Sequence, residues 1–194
     1  MKENKILNNI NISNYTTIKV GGKAEFFSEP SNLLELEDLL GWAKINNFNC
    51  HVFGAGSNLL INENNLEGLF LSTKKLKAIN LNPKSGILEA ECGAMLPTIS
   101  SLLAKNSCKG GEWSVGIPGT VGGAIFMNAG SGNFTISDNL ISVKAIDINT
   151  LNIFNIAQKD LAFRYRFSPF QENNLIILSA KFLFEPGGDQ NLIT

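Results

Sequence analysis

Four glycines fall within eight positions in Gly116-Ile117-Pro118-Gly119-Thr120-Val121-Gly122-Gly123, and Ala124 follows them. Ordering glycine costs more backbone entropy than ordering any other residue, so a plain surface loop has little reason to carry this density. Pro118 fixes φ in the middle, and Thr120 is placed to cap the short helical turn expected next. Such a segment presents main-chain amides inward and leaves room for a flat, extended ligand. The competing reading is a crowded bend between packed layers. Met127 and Asn128 lie on the short helix that follows; Met127 reads as a core residue and Asn128 as a tie for the loop.

A second small-residue segment, Gly54-Ala55-Gly56-Ser57-Asn58, follows directly on the apolar stretch from Cys50 to Phe53. Phosphate recognition without many Lys or Arg side chains needs several N–H groups brought close together, which glycine permits. Ser57 and Asn58 add hydroxyl and carboxamide donors. An ordinary tight turn accounts for the same residues. The segment departs from GxGxxG and no crossover helix starts straight after it, which disfavours a Rossmann-type nicotinamide site.

Around these loops the hydrophobic pattern predicts short strands and few helices. Strands are expected at Ala24 to Ser28, Cys50 to Phe53, Gly68 to Ser72, Ile87 to Gly93, Leu140 to Ile148 and Leu175 to Phe184, with Leu151 to Ile156 as a hairpin partner. A helix from Leu33 to Ile45, with Ser31 as its N-cap, carries Leu33, Leu36, Leu40 and Ala43 at three- and four-residue steps. Pro97 suits the first position of a second helix, and a brief helix is expected near Gln158 to Ala162. Strands interspersed with few helices make the class α+β. A break near Leu81-Asn82-Pro83 separates residues 1–82 from residues 83–185, with a tail at 186–194.

Near the end of the second block, Arg164 and Arg166 flank Tyr165. In an extended stretch both arginines would face one side and Tyr165 the other. A guanidinium stays protonated and offers a rigid fork of donors, which suits a carboxylate or a developing enolate. Surface arginines beside an aromatic plug of Phe163, Phe167 and Phe170 give the alternative reading.

Several function classes are disfavoured. With 16 basic and 17 acidic residues the formal net charge is -1, which gives no field to attract nucleic acid or an anionic membrane. Cys50, Cys92 and Cys108 form no CxxC pair and His51 is the sole histidine, so no metal cluster is expected, and His51 reads as a structural side chain. No apolar run near 20 residues and no secretion signal is found, which places the chain in the cytoplasm.

Four ordered segments together carry a resemblance: Asn14-Tyr15-Thr16-Thr17-Ile18-Lys19-Val20-Gly21-Gly22-Lys23-Ala24, Gly54 to Leu60, Gly116 to Gly123 with Met127-Asn128-Ala129-Gly130, and Phe163 to Phe170. They resemble the UDP-N-acetylenolpyruvoylglucosamine reductase family of peptidoglycan precursor synthesis. The resemblance implies a FAD-binding fold of two small α+β subdomains, of the vanillyl-alcohol-oxidase/PCMH type, followed in the family by a substrate domain. It implies that Gly54, Ala55, Gly56, Ser57 and Asn58, with Gly116, Pro118, Gly119 and Thr120, surround the FAD diphosphate, and that Gly122, Gly123 and Ala124 lie nearer the ribityl and isoalloxazine portions. Arg166 corresponds to the catalytic arginine and Tyr165 to a residue supporting it. NADPH is the reductant and the enolpyruvyl UDP-sugar the substrate. The family's proton-donating serine and a glutamate lie beyond the stretch matched here, and Lys19 stands where arginine is common. FAD binding with severely impaired turnover is therefore expected, the alternative being a non-catalytic FAD-binding module or inactive remnant that associates through the face left by the missing domain.

Overall fold

The structure, a computed structural model, describes residues 6–187. Strand β1 (Leu7–Asn11) runs antiparallel to β2 (Lys23–Ser28), with Leu7 opposite Phe27 and Ile10 opposite Ala24. Helix α1 (Leu33–Ile45) follows and presents Leu36, Leu39, Leu40 and Ala43 to the core. Its N-cap is Asn32, one residue later than expected. Asn32 Oδ1 accepts from the Glu35 N–H at 3.0 Å, while Ser31 donates its N–H and hydroxyl to the Glu35 carboxylate. A carboxamide in extended backbone (φ -157°) reaches the first-turn amide, so the hydroxyl of Ser31 is free to bind the side chain instead.

Strands β3 (Cys50–Phe53) and β4 (Leu66–Ser72) complete a four-stranded sheet in the order β1-β2-β4-β3, with β2-β4 and β3-β4 parallel. Next come β5 (Ile79–Asn82), β6 (Ile87–Glu91), helix α2 (Leu96–Lys105), β7 (Cys108–Lys109), helix α3 (Val121–Phe126), β8 (Gly130–Ser131), β9 (Phe134–Thr135), β10 (Leu140–Asp147), β11 (Ile153–Ala157), β12 (Leu175–Leu183) and β13 (Glu185–Pro186). Five of them form an antiparallel sheet ordered β11-β10-β12-β6-β5.

The expected break at 82/83 would cut the β5–β6 hairpin, in which Leu81 faces Leu88; the two sheets part between Ser72 and Ile79. The expected tail begins with a paired residue, since Pro186 opposes Cys108 in β13–β7, and residues 188–194 lie outside the described residues. Pro97 is the second helical residue of α2, after Leu96. The helix expected near Gln158 is a single 3-10 turn, Gln158–Asp160.

One large apolar cluster joins the two sheets: Leu36, Leu40, Leu69 and Leu71 pack with Leu88, Leu103, Val121, Ile125, Ile146 and Phe182. A smaller one, Ile12, Ala24, Phe27, Phe53 and Phe70, covers the other side of the first sheet. Phe27 and Phe182 are among the largest fully buried side chains. Of the two glycine-rich loops, one leaves the end of β3 and the other leads into α3.

Candidate functional site

Strand β3 ends at Phe53 and the chain turns at once into Gly54 to Asn58. Phe53 O is held by the Thr73 N–H at 2.9 Å and the Thr73 hydroxyl at 3.2 Å, which fixes where the loop departs. Gly56 has φ +70°, and a Cβ there would lie 2.2 Å from Tyr15 O, so the position admits no side chain. The Thr17 N–H donates to Gly56 O at 3.1 Å and pins the loop against that neighbouring segment. Among the described residues, no main-chain N–H of Gly54, Ala55, Gly56, Ser57 or Asn58 donates to a protein acceptor. Amides without an internal partner are available to an anion where they converge.

The larger glycine loop behaves differently from expectation. Its amides do not all turn toward open space: Gly119 N–H donates to Ile117 O at 2.9 Å, Val121 N–H to Ala94 O at 2.8 Å, and Gly122 N–H to Cys92 O at 2.8 Å. The first turn of α3 is thus stitched to the chain leaving β6. Thr120 caps it as expected, its Oγ1 accepting from the Gly123 N–H at 3.4 Å. Close approach explains Gly122, where a Cβ would sit 2.9 Å from Cys92 Cβ and 3.2 Å from Cys92 O. The two loops meet where a Cβ on Gly54 would lie 2.2 Å from Thr120 Oγ1.

Between them runs a cavity of about 580 Å³. Gly54, Ala55, Gly56, Ser57 and Asn58 line one part of it, and Pro118, Gly119, Thr120, Gly122, Gly123 and Ala124 another. Phe126, Met127, Ala129 and the β12 residues Leu175, Ile176 and Ile177 add an apolar surface, and Arg166 also reaches it. Two of the residues singled out from the sequence are elsewhere. Gly116 does not line the cavity and a Cβ there would meet nothing within 4 Å; Tyr165 is 90% exposed and also lies outside the lining.

Arg164 and Arg166 do not share a face. The segment is a tight turn in which Arg164 and Phe167 exchange both N–H···O bonds at 3.1 Å, with Arg166 at φ +53°. A left-handed residue breaks the alternation of an extended strand. The Arg164 guanidinium therefore lies over the Phe167 ring, 4.1 Å from its centroid, while Arg166 Nη2 donates to Gly130 O at 3.3 Å. Met127, read as core, is half-buried and lines the cavity. Asn128 ties down the arginine turn, its Nδ2 donating to Arg164 O at 3.0 Å, rather than its own loop.

Cys92 borders the cavity, and no sequence signal distinguishes it from Cys108, since a lone thiol at the end of a strand has the composition of core. Burial pushes its thiol up to about 12, partly offset by the Thr73 hydroxyl, so it stays protonated at neutral pH and is no nucleophile. His51 is exposed and stacks on Phe70 with centroids 4.5 Å apart, outside the cavity.

Comparison with known proteins shows the family and the fold. The FAD binding domain family matches residues 24–150. The UDP-N-acetylenolpyruvoylglucosamine reductase of Prochlorococcus marinus subsp. pastoris is 57% identical over 189 residues, covering 97% of this chain and 64% of that protein. The enzyme of the same name from Parasynechococcus marenigrum is 42% identical over 186 residues, covering 96% and 62%. The chain thus spans somewhat under two-thirds of the length of these curated relatives. Among solved structures, UDP-N-acetylenolpyruvylglucosamine reductase (MurB) from Thermus caldophilus superposes with a TM-score of 0.77 at 24% identity, covering 94% of this chain and 64% of that one. Phl p 4, a glucose dehydrogenase, superposes with a TM-score of 0.65 at 12% identity, covering 96% and 42%. The fold is the α+β FAD-binding fold of the vanillyl-alcohol-oxidase/PCMH type.

Proposed function

We propose, from the premise that this chain belongs to the FAD binding domain family, that its cavity holds FAD and that it is the cofactor-holding part of a UDP-N-acetylenolpyruvoylglucosamine reductase. The reductant in this reading is NADPH, the substrate is the enolpyruvyl UDP-sugar, and the setting is peptidoglycan precursor synthesis in the cytoplasm. No helix among the described residues is long and apolar enough to cross a membrane.

The observation that carries the reading is the run of amides at Gly54 to Asn58, which have no acceptor among the described residues, in a loop that lines the same cavity as Gly119, Thr120, Gly122 and Gly123. These residues fit a dinucleotide. The amides and the Ser57 hydroxyl suit a pyrophosphate, while Leu175, Ile176, Ile177 and Met127 offer apolar surface to a flat ring system. FAD, when bound, supplies the capacity to take a hydride from NADPH and pass it to a carbon–carbon double bond.

Among the described residues, Arg166 is the cation that lines this cavity. Among the described residues its guanidinium makes one hydrogen bond, to Gly130 O, and a guanidinium has five N–H donors. The remaining donors suit a carboxylate or an enolate oxygen as charge develops on it. Tyr165, whose ring centroid lies 5.5 Å from the Arg166 guanidinium carbon, supports it from the exposed side. A second reading is a FAD-holding module without turnover of its own, which associates with a partner at the cavity mouth.

Anaerobic mixing of the FAD-loaded chain with NADPH separates the two. Bleaching of the flavin absorbance, followed by recovery on adding the enolpyruvyl UDP-sugar with formation of UDP-N-acetylmuramate, is the result expected of a reductase. Bleaching without recovery, or no bleaching, leaves the module. Failure to retain FAD contradicts both.

A further inference from the structure

Arg164 and Arg166 are the only arginines in the 194 residues, and only Arg166 reaches the cavity. It does so through a turn that a non-glycine residue adopts at a cost. Arg166 sits at φ +53°, and a left-handed non-glycine residue costs about 1–3 kcal/mol unless its surroundings hold it.

The holding contacts come from the end of α3 and from the residues just after the turn. Asn128 Nδ2 donates to Arg164 O at 3.0 Å. Gln171 Nε2 donates to Arg166 O at 3.2 Å and to Phe126 O at 2.7 Å, and the Ser168 hydroxyl donates to Phe126 O at 2.8 Å. Asn128 is itself left-handed at φ +42° and only 6% exposed, and its Oδ1 has no partner among the described residues. A buried carbonyl left unsatisfied costs about 1–3 kcal/mol. Two left-handed residues and an orphaned oxygen therefore flank one hydrogen bond, a concentration of strain that packing alone does not call for. The same short helix carries Gly122, Gly123 and Ala124 along the cavity at its other end.

We propose that Asn128 and Gln171 are positioning residues, holding the Arg164–Phe167 turn in the one conformation that brings the Arg166 guanidinium to the cavity. The inference rests on the reading that Arg166 faces the ligand. It deepens that reading by naming what sets the arginine, and it ties the arginine to the helix that walls the cofactor side.

The test uses the FAD-loaded chain labelled with 15N-arginine. Its two arginines give two Nε–H signals, assigned by loss of one in Arg166→Lys. Asn128→Gly keeps the left-handed backbone without steric cost and removes the amide, and Gln171→Met keeps the length and removes the donor. In both variants the Arg166 signal is expected to move toward that of an unrestrained guanidinium. The affinity for the enolpyruvyl UDP-sugar is expected to fall about 10-fold, the worth of one hydrogen bond to a charged group, while FAD affinity changes less than about 3-fold. An unchanged Arg166 signal in both variants overturns the proposal, as does a parallel loss of FAD affinity, which marks a merely structural role. If Asn128→Gly does not fold, Gln171→Met decides alone. If the UDP-sugar leaves the wild-type Arg166 signal unmoved, the ligand-facing reading fails, while the shift between wild type and variants still decides the positioning role.

Discussion

Gly54→Ala is expected to weaken FAD binding about 10- to 100-fold while the protein stays folded. The added Cβ would lie 2.2 Å from Thr120 Oγ1, 3.1 Å from its Cγ2 and 3.2 Å from its Cβ. Rotating Thr120 so that its Cβ–H faces Gly54 still leaves the Thr120 Cβ 3.2 Å away and moves Oγ1 out of its cap. Thr120 is 1% exposed and its hydroxyl caps α3, so it cannot retreat without uncapping the helix. The remaining outcome is that the two loops separate. Overpacking of this kind costs about 1–3 kcal/mol, which corresponds to roughly 10- to 100-fold in Kd. Gly116→Ala is the control, since nothing lies within 4 Å of its Cβ, and its Kd should change less than about 2-fold. Fluorescence titration of both variants with FAD checks this; equal affinities would contradict the contact between the loops.

The largest expected loss of stability is at Phe182. It lies in β12, the strand that runs between β10 and β6, opposite Leu88 on one side and Leu140 on the other, and it is 2% exposed. Phe182→Ala removes a buried ring that the rigid flanking strands cannot close over, at a cost of about 3–5 kcal/mol. For a chain of this size that lowers Tm by roughly 6–20 °C. The cavity residues Leu175 to Ile177 lie at the other end of the same strand. FAD affinity measured well below the new Tm should therefore stay within about 3-fold. A thermal melt followed by circular dichroism gives the answer, and a shift below about 2 °C would mean that the ring is not packed as described.

The parts of the fold legible in the sequence are those with an apolar period. Helix α1 spans the Leu33–Ile45 that its spacing predicts, and β3 spans Cys50–Phe53. Strand β1 gave no such signal because Leu7, Asn8, Asn9 and Asn11 are exposed and only Ile10 is half-buried, so pairing with β2 rather than burial defines it. Strand β5 does alternate, Ile79 and Leu81 half-buried against Asn80 and Asn82, but Asn82-Pro83 reads as a boundary when it is the turn of a hairpin.

At the site, glycine density located both loops and did not reveal which amides are spent. That depends on Ala94 and Cys92, more than twenty residues upstream, whose carbonyls take the first N–H groups of α3. The arginine pair was visible, but its geometry was not, because the left-handed Arg166 is held by Asn128 and Gln171 rather than by any local preference for a turn. Met127 reads as core because a cavity wall and a core have the same composition.

Amide hydrogen exchange, resolved residue by residue, bears most directly on the amides from Gly54 to Asn58. Without FAD these five should exchange fast, and with saturating FAD they should become protected together, while Gly122, already bonded to Cys92 O, changes little. FAD that binds without protecting them, or a folded chain that does not bind FAD, would contradict the account.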